Sequence, residues 1–419
     1  MQKFLLRLYN LFLNLSSLLI LFSVFFILKL FKKQEKRRIK KIAWFGAYGN
    51  SNLGDDLIFY SLKRLLKHTN FNYQLSVRDK NKIKNYGVKT FIKGEQFYDF
   101  IKYVNVIRKS DAVFLGGGGL FEYYYSSNPA YRMILIYLCP IIIARIYNKP
   151  TFVLGVGVNE EKIDNQLIRF IFKHTLSETN LFITRDEKSK RGLLNNGVKT
   201  KIYSSYDPVL SLKFDRKKPK IKKIKRKIGL ILWPYFLWPH FYKNSSDISN
   251  AKRQKHIEFL AKINIIISDL NKNYDLEFLT FHFSDTLLYN QLDLDSPIKP
   301  NLKTYMSQLN SIDLLITMRY HGQITAVLNN VPVIAISVQQ KMDAFMENFE
   351  TEKFNFDVNN FTPNSILKSI NEVFNDEEQI KLDLNRKAIH YRKKIKSSYF
   401  SLFCSDIEEN GLQNAIPKE

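Results

Sequence analysis

The stretch Ile42–Leu66, IAWFGAYGNSNLGDDLIFYSLKRLL, decides the fold class. Ile42 to Gly46 is uncharged and reads as a buried strand, and Ala47 to Gly54 is a loop rich in glycine and amide side chains. A helix is expected to open at Asp55 or Asp56, with Ile58, Leu62, Leu65 and Leu66 along one face. Strand, loop and amphipathic helix in that order make one repeating unit of a parallel sheet covered by helices.

The unit recurs. Asp111–Leu115 reads as a short strand running into Gly116–Gly119, and residues 133–147 as an apolar helix interrupted by Pro140. Thr151–Val158 and Leu181–Thr184 read as further strands, and Glu187–Asn195 as the helix that follows Arg185 and Asp186. Beyond the charged run Lys213–Lys227 the alternation restarts at Ile228–Trp233. It continues with a helix over Lys255–Lys272, strands at Leu276–Phe281, Leu314–Met318 and Pro332–Ser337, a short helix over Gln323–Asn329, and a closing helical stretch over about Thr362–Ser397. This pattern implies two doubly wound, Rossmann-like α/β domains, over 42–212 and 228–400, joined by a basic linker at 213–227 and followed by a tail at 401–419.

At 419 residues the chain is too long for one ordinary core, and its 45% hydrophobic and 25% charged content excludes disorder along the whole chain. Two cysteines, Cys139 and Cys404, cannot form a disulfide framework. Of the net charge of +25, residues 1–41 and 213–227 carry +9 each. The remaining fold is nearly ordinary in charge, so nucleic acid is not expected as a partner. Leu8–Leu28 contains no charged residue and as a helix would span about 32 Å. With its basic flank it forms the segment 1–41, read as a membrane anchor that spans or lies on the bilayer. No small-residue cleavage site follows it, and the eight cations from Lys29 to Lys41 outweigh Lys3 and Arg7. A single N-terminal anchor is therefore expected, with the rest of the chain on the cytoplasmic face of the cell membrane.

Open parallel sheets bind ligands beyond the carboxyl ends of their strands, which directs attention to the loops there. In the 47–56 loop, Asn52, Gly54 and Asp55 could cradle an anion or a sugar hydroxyl, or could form a tight turn with Asp55 as a helix cap. Gly117, Gly118 and Gly119 allow close approach of a ligand or of a second backbone. They do not form a dinucleotide fingerprint, and neither do Gly155 and Gly157, because Glu160 stands where a third glycine is needed. Asp293-Leu294-Asp295 resembles a metal-nucleotide pair, but that triplet is common by chance and lies in a polar loop. The strongest local signal is Met318–Gly322, where Arg319 and His321 meet at the end of a strand and the start of a helix. Such a turn suits binding of a phosphate or carboxylate with a proton moved beside it, and equally an ion pair with a capped core histidine. Lys341, after the next strand, adds a cation at the same edge. No metal site and no cofactor are expected.

In this order the motifs resemble the polysaccharide pyruvyl transferase family. They are Gly49–Asp55 (GNSNLGD), Phe114–Gly119 (FLGGGG), Leu154–Val158 (LGVGV), Arg185-Asp186 with Ser189, Asp207-Pro208, Arg319-x-His321-Gly322, Pro332 and Lys341, spread over about residues 42–350. The resemblance implies a fold similar to the two-domain glycosyltransferase B architecture. It also implies phosphoenolpyruvate as donor co-substrate and, as acceptor, a sugar hydroxyl pair on a cell-surface polysaccharide or its lipid-linked precursor. Arg319 and Arg185 would hold the donor's phosphate or carboxylate, and His321 would act as general acid or base. The chain departs from the family pattern at Tyr320, where a small aliphatic residue is usual, and at Gly322, where alanine is common. A nucleotide-sugar glycosyltransferase of the same fold is one alternative and a non-catalytic, membrane-bound glycan assembly factor another, since fold alone does not decide chemistry.

Overall fold

The structure, a computed structural model, describes residues 39–79, 88–92, 100–122, 129–214, 225–237, 248–294 and 300–409. The expected membrane anchor, most of the basic linker and the end of the tail lie outside them. Among the described residues no helix is long and apolar enough to cross a membrane. The chain divides into two units. The first holds the described residues up to Asn50, then Asp55–Ser211 and those from Lys393 onward, and the second holds Ser51–Gly54 and Leu212–Arg392.

Along the first unit run β1 (Lys41–Phe45), α1 (Leu53–Leu65), β2 (Asn72–Val77), β3 (Lys89–Ile92), α2 (Phe100–Arg108), β4 (Ala112–Phe121) and α3 (Pro129–Ile146). They are followed by β5 (Thr151–Val158), α4 (Gln166–Leu176), β6 (Leu181–Thr184), α5 (Glu187–Asn195) and β7 (Ile202–Ser204). The seven strands are all parallel, in the order β3-β2-β1-β4-β5-β6-β7. β1 and β5 lie inside the sheet with helices on both faces, which is why KIAWF and TFVLGVGV are apolar runs rather than alternating ones. α3 is apolar all round because it is buried all round, Ile134 to Ala144 lying in the core with only Pro140 interrupting the apolar series.

Two expectations are corrected here. The strand expected to end at Leu115 continues through the glycines to Phe121, pairing Gly116 with Leu154 and Gly118 with Val156 before the register shifts. The helix around Pro140 is not interrupted. One proline removes a single backbone donor, and burial of Ile141, Ile142, Ile143 and Ala144 beyond it holds the helix together.

The second unit carries β8 (Lys227–Ile231), α6 (Asn250–Asn273), β9 (Asp275–Phe278), α7 (Phe283–Gln291), α8 (Leu302–Ser311), β10 (Leu314–Thr317) and α9 (Tyr320–Leu328). After them come β11 (Val333–Ser337), α10 (Gln340–Asn348), β12 (Asn355–Asp357), α11 (Pro363–Asn375) and the start of α12 (Glu377–Glu409). Its five strands are again all parallel, in the order β12-β11-β10-β8-β9. The closing helical stretch is two helices broken at Asp376, and α9 opens at Tyr320, three residues before its expected start.

Candidate functional site

In the second unit the chain steps from β8 to β9 on one side and returns to β10 on the other, so the winding reverses between β8 and β10. Those strands pair Leu230 with Ile316 and Ile231 with Thr317, and the region beyond their carboxyl ends is the usual ligand position in such sheets. Trp233 follows β8 and Arg319 follows β10. The guanidinium carbon of Arg319 stands 4.5 Å from the centre of the Trp233 ring, a cation–π arrangement.

Arg319 is held along one edge. Its Nε donates to Asp285 Oδ1 at 3.1 Å, Nη2 donates to the same oxygen, and Nη2 also donates to Ser284 Oγ at 2.7 Å. Asp285 is completely buried, and its second oxygen accepts the backbone N–H groups of Phe281 at 2.9 Å and His282 at 2.8 Å. Burial pushes the Asp285 carboxyl above the ordinary carboxylate range, while Arg319 and the two backbone donors pull it back. Ser284 Oγ lies 2.7 Å from His282 Nδ1, so a hydroxyl that accepts from Arg319 keeps its proton for the imidazole. Among the described residues the outer nitrogen of Arg319, Nη1, takes no hydrogen bond.

His321 is the second residue of α9, at the positive end of that helix. Its ring lies parallel to that of Phe281, 4° between planes and 6.3 Å between centroids, and 5.1 Å from that of Tyr320. The loop Ser51–Gly54 meets the same turn. Asn52 bridges to His282, the N–H of Leu53 donates to the Phe281 carbonyl at 3.1 Å, and Asn52 Oδ1 accepts the N–H of Gly54 at 3.1 Å. A Cβ on Gly54 would stand 2.3 Å from His321 Nδ1, so glycine is required there for His321 to occupy its place. A Cβ on Gly322 would meet Thr317 Oγ1 at 2.6 Å, so a larger residue there would displace the hydroxyl that accepts the N–H of Arg319. Tyr320 stands between His321 and a second cation, its ring 5.7 Å from Lys341 Nζ.

The second unit therefore gathers Asn52, Gly54, Arg319, His321 and Lys341. It adds four residues that the sequence did not single out: Trp233, His282, Ser284 and Asp285. The available signal was the capping box formed by His282 and Asp285, which marks the start of α7 but departs from the usual Ser/Thr with Glu/Gln pattern.

Asp55, Gly117, Gly118, Gly119 and Arg185 belong to the first unit, where the winding reverses between β1 and β4. Gly117 and Gly118 have φ of +81° and +84°, and the positions a Cβ would take there lie 2.2 Å from Ile58 Cγ2 and 2.7 Å from Asp55 Oδ1. At Gly119 the corresponding position is 2.4 Å from Glu122 Oε2. Arg185 is buried, bonded to Glu122 and 3.5 Å from Asp186, and Gly157 leaves the space that this ion pair fills. The helix expected to open at Asp55 or Asp56 opens at Leu53, which places Asp55 within its first turn. Among the described residues no group of three or more His, Cys, Asp or Glu side chains could hold a metal ion.

An anchored guanidinium, an imidazole at a helix start and a nearby ammonium can bind an anion and move a proton beside it. Solved structures of similar fold include a putative UDP-N-acetylglucosamine 2-epimerase from Listeria monocytogenes, with a TM-score of 0.56 and 10% identity over 89% of this chain and 97% of that one. A UDP-GlcNAc 2-epimerase from Methanocaldococcus jannaschii gives 0.52 and 13% over 80% and 92%, and a glycosyltransferase from Rickettsia africae ESF-5 gives 0.52 and 11% over 90% and 100%. With the two parallel sheets, these likenesses establish an α/β, Rossmann-like fold of the glycosyltransferase B kind. No curated protein matches the chain. The family model of polysaccharide pyruvyl transferase matches residues 52–340, well over half of the chain and a span that includes both the Asn52–Gly54 loop and the Arg319–His321 turn. The chain belongs to the polysaccharide pyruvyl transferase family and is a transferase.

Proposed function

We propose that the protein transfers the pyruvyl group of phosphoenolpyruvate to a pair of hydroxyls on one sugar of a cell-surface polysaccharide or its lipid-linked precursor, closing a cyclic ketal. The observation that carries this reading is the pinned Arg319. Its inner edge is taken by Asp285 and Ser284, and it follows β10 at the switch point of the second sheet, two residues before His321. A donor with about three negative charges suits its Nη1 edge together with Lys341 and the positive end of α9.

In this scheme His321 relays a proton to the methylene carbon of the donor, and the central carbon becomes electrophilic. One sugar hydroxyl adds there, phosphate leaves, and the second hydroxyl closes the ring. Of the two hydroxyl protons, one ends on the new methyl group and the other on phosphate, so the reaction balances without an oxidant or a reductant. The uncharged stretch Leu8–Leu28 with its basic flank supports a place at the cytoplasmic face of the membrane, where a lipid-linked acceptor would be found.

The test is calorimetric titration of the full chain with phosphoenolpyruvate and, separately, with UDP- and dTDP-sugars. Binding of phosphoenolpyruvate that is lost in Lys341→Ala and Arg319→Met supports the proposal. Binding of a nucleotide sugar, with none of phosphoenolpyruvate, would replace pyruvyl transfer by glycosyl transfer.

A further inference from the structure

The turn Phe281–Asp285 touches His321, Arg319 and the Asn52–Leu53 loop. Phe281 lies parallel to His321, its carbonyl receives Leu53, and His282 bridges to Asn52. Ser284 and Asp285 hold Arg319. We infer that Asp285, with Ser284 as its second support, is the positioning residue that aims the Nη1 edge of Arg319 at the donor anion. This rests on the reading of Arg319 as the donor's ligand.

The guanidinium of Arg319 has few ways to turn. Arginine normally carries much rotamer freedom, and a free guanidinium could present any of its three edges. Here Nε and Nη2 converge on one buried carboxylate oxygen, the hydroxyl of Ser284 fixes Nη2 from a second direction, and the Trp233 ring supports the flat face. Only one edge is left to point outward. The carboxylate is fixed in turn, since its other oxygen is clamped by two backbone N–H groups at the start of α7. Asp285 is fully buried and cannot touch the donor, so it acts only through Arg319.

A double-mutant cycle on the full chain tests this, with phosphoenolpyruvate affinity as the readout and cooperative thermal unfolding as the check on folding. Asp285→Asn keeps the size of the side chain and one acceptor for the backbone, but loses the charge that orders Arg319. It should weaken phosphoenolpyruvate about tenfold, the equivalent of one net hydrogen bond, while having little further effect once Arg319→Met is present. Ser284→Ala, the milder change, should weaken binding about threefold with the same dependence on Arg319, and it carries the test if Asp285→Asn does not fold. If Arg319→Met loses affinity while both other variants keep it, or if the losses simply add, the inference is overturned and the donor reading stands. If Arg319→Met keeps full affinity, the donor reading itself fails and the inference falls with it.

Discussion

Substituting Gly54 with alanine tests whether the loop Ser51–Gly54 and His321 are packed as described. The new methyl would lie 2.3 Å from His321 Nδ1 and 2.8 Å from its Cγ, closer than real side chains come. The imidazole has little room to retreat, because Phe281 lies parallel to it and Tyr320 stands at its edge. Forcing a methyl into a packed site costs about 1–3 kcal/mol, and the rigid rings place this one in the upper half of that range. Helix propensity acts in the opposite direction. Gly54 is the second residue of α1, where alanine is better than glycine by up to about 1 kcal/mol. The net expectation is a loss of roughly 1–3 kcal/mol, read as a fall of about 2–12 °C in the melting temperature of a unit of this size. Thermal and urea unfolding of wild type, Gly54→Ala, His321→Ala and the double variant separate the two contributions. With the ring removed only the helix term remains, so Gly54→Ala should become neutral or slightly stabilising in the His321→Ala background. An equal cost in both backgrounds would refute the packing of His321 against this loop.

In the first unit, Gly157→Ala would place a Cβ 2.5 Å from Glu122 Oε1 and 2.7 Å from Arg185 Cζ, and should destabilise by about 1–3 kcal/mol in urea unfolding. His256 is buried with Nε2 2.9 Å from Gln291 Oε1, and burial lowers its pKa below the ordinary histidine value. The unfolded chain therefore takes up a proton more readily. The contribution of this group is fully present above about pH 6.5 and is lost as pH falls through the folded-state value. His256→Gln should flatten the decline of melting temperature between about pH 7.5 and 5, and an unchanged decline would count against this assignment. Removing residues 1–38 should shift the protein out of the membrane fraction of cells, and partition identical to the full chain would contradict the anchor.

Most of the layered architecture is legible in the residues. β5 and β6 lie at their expected residues because each is an apolar run bounded by turns or by charge, and α5 because Asp186 caps its start and Asn196-Gly197 follows its end. The edge elements are harder to read. β2 (NYQLSV) and the three-residue β12 (NFD) are half-polar strands whose pairing depends on the sheet beside them. The glycine run looks like a loop from composition alone, yet pairing with β5 holds it in the sheet while α1 fills the space its missing side chains leave. At the site, Arg319 and His321 are visible because they sit together at the end of a strand. Asp285 is not, since its meaning comes from a guanidinium 34 residues away in the chain and its local sequence offers only a helix cap.

The central claim is met most directly by following isotopic label. Phosphoenolpyruvate labelled in its carbon skeleton, mixed with the full chain and a membrane fraction carrying the acceptor glycan, should lose phosphate and place label on the glycan in equal amounts. The glycan should gain the mass of one pyruvate less one water, and His321→Ala should abolish both changes. Phosphate release without label on glycan, or transfer of a sugar from a nucleotide donor with phosphoenolpyruvate untouched, would contradict the account.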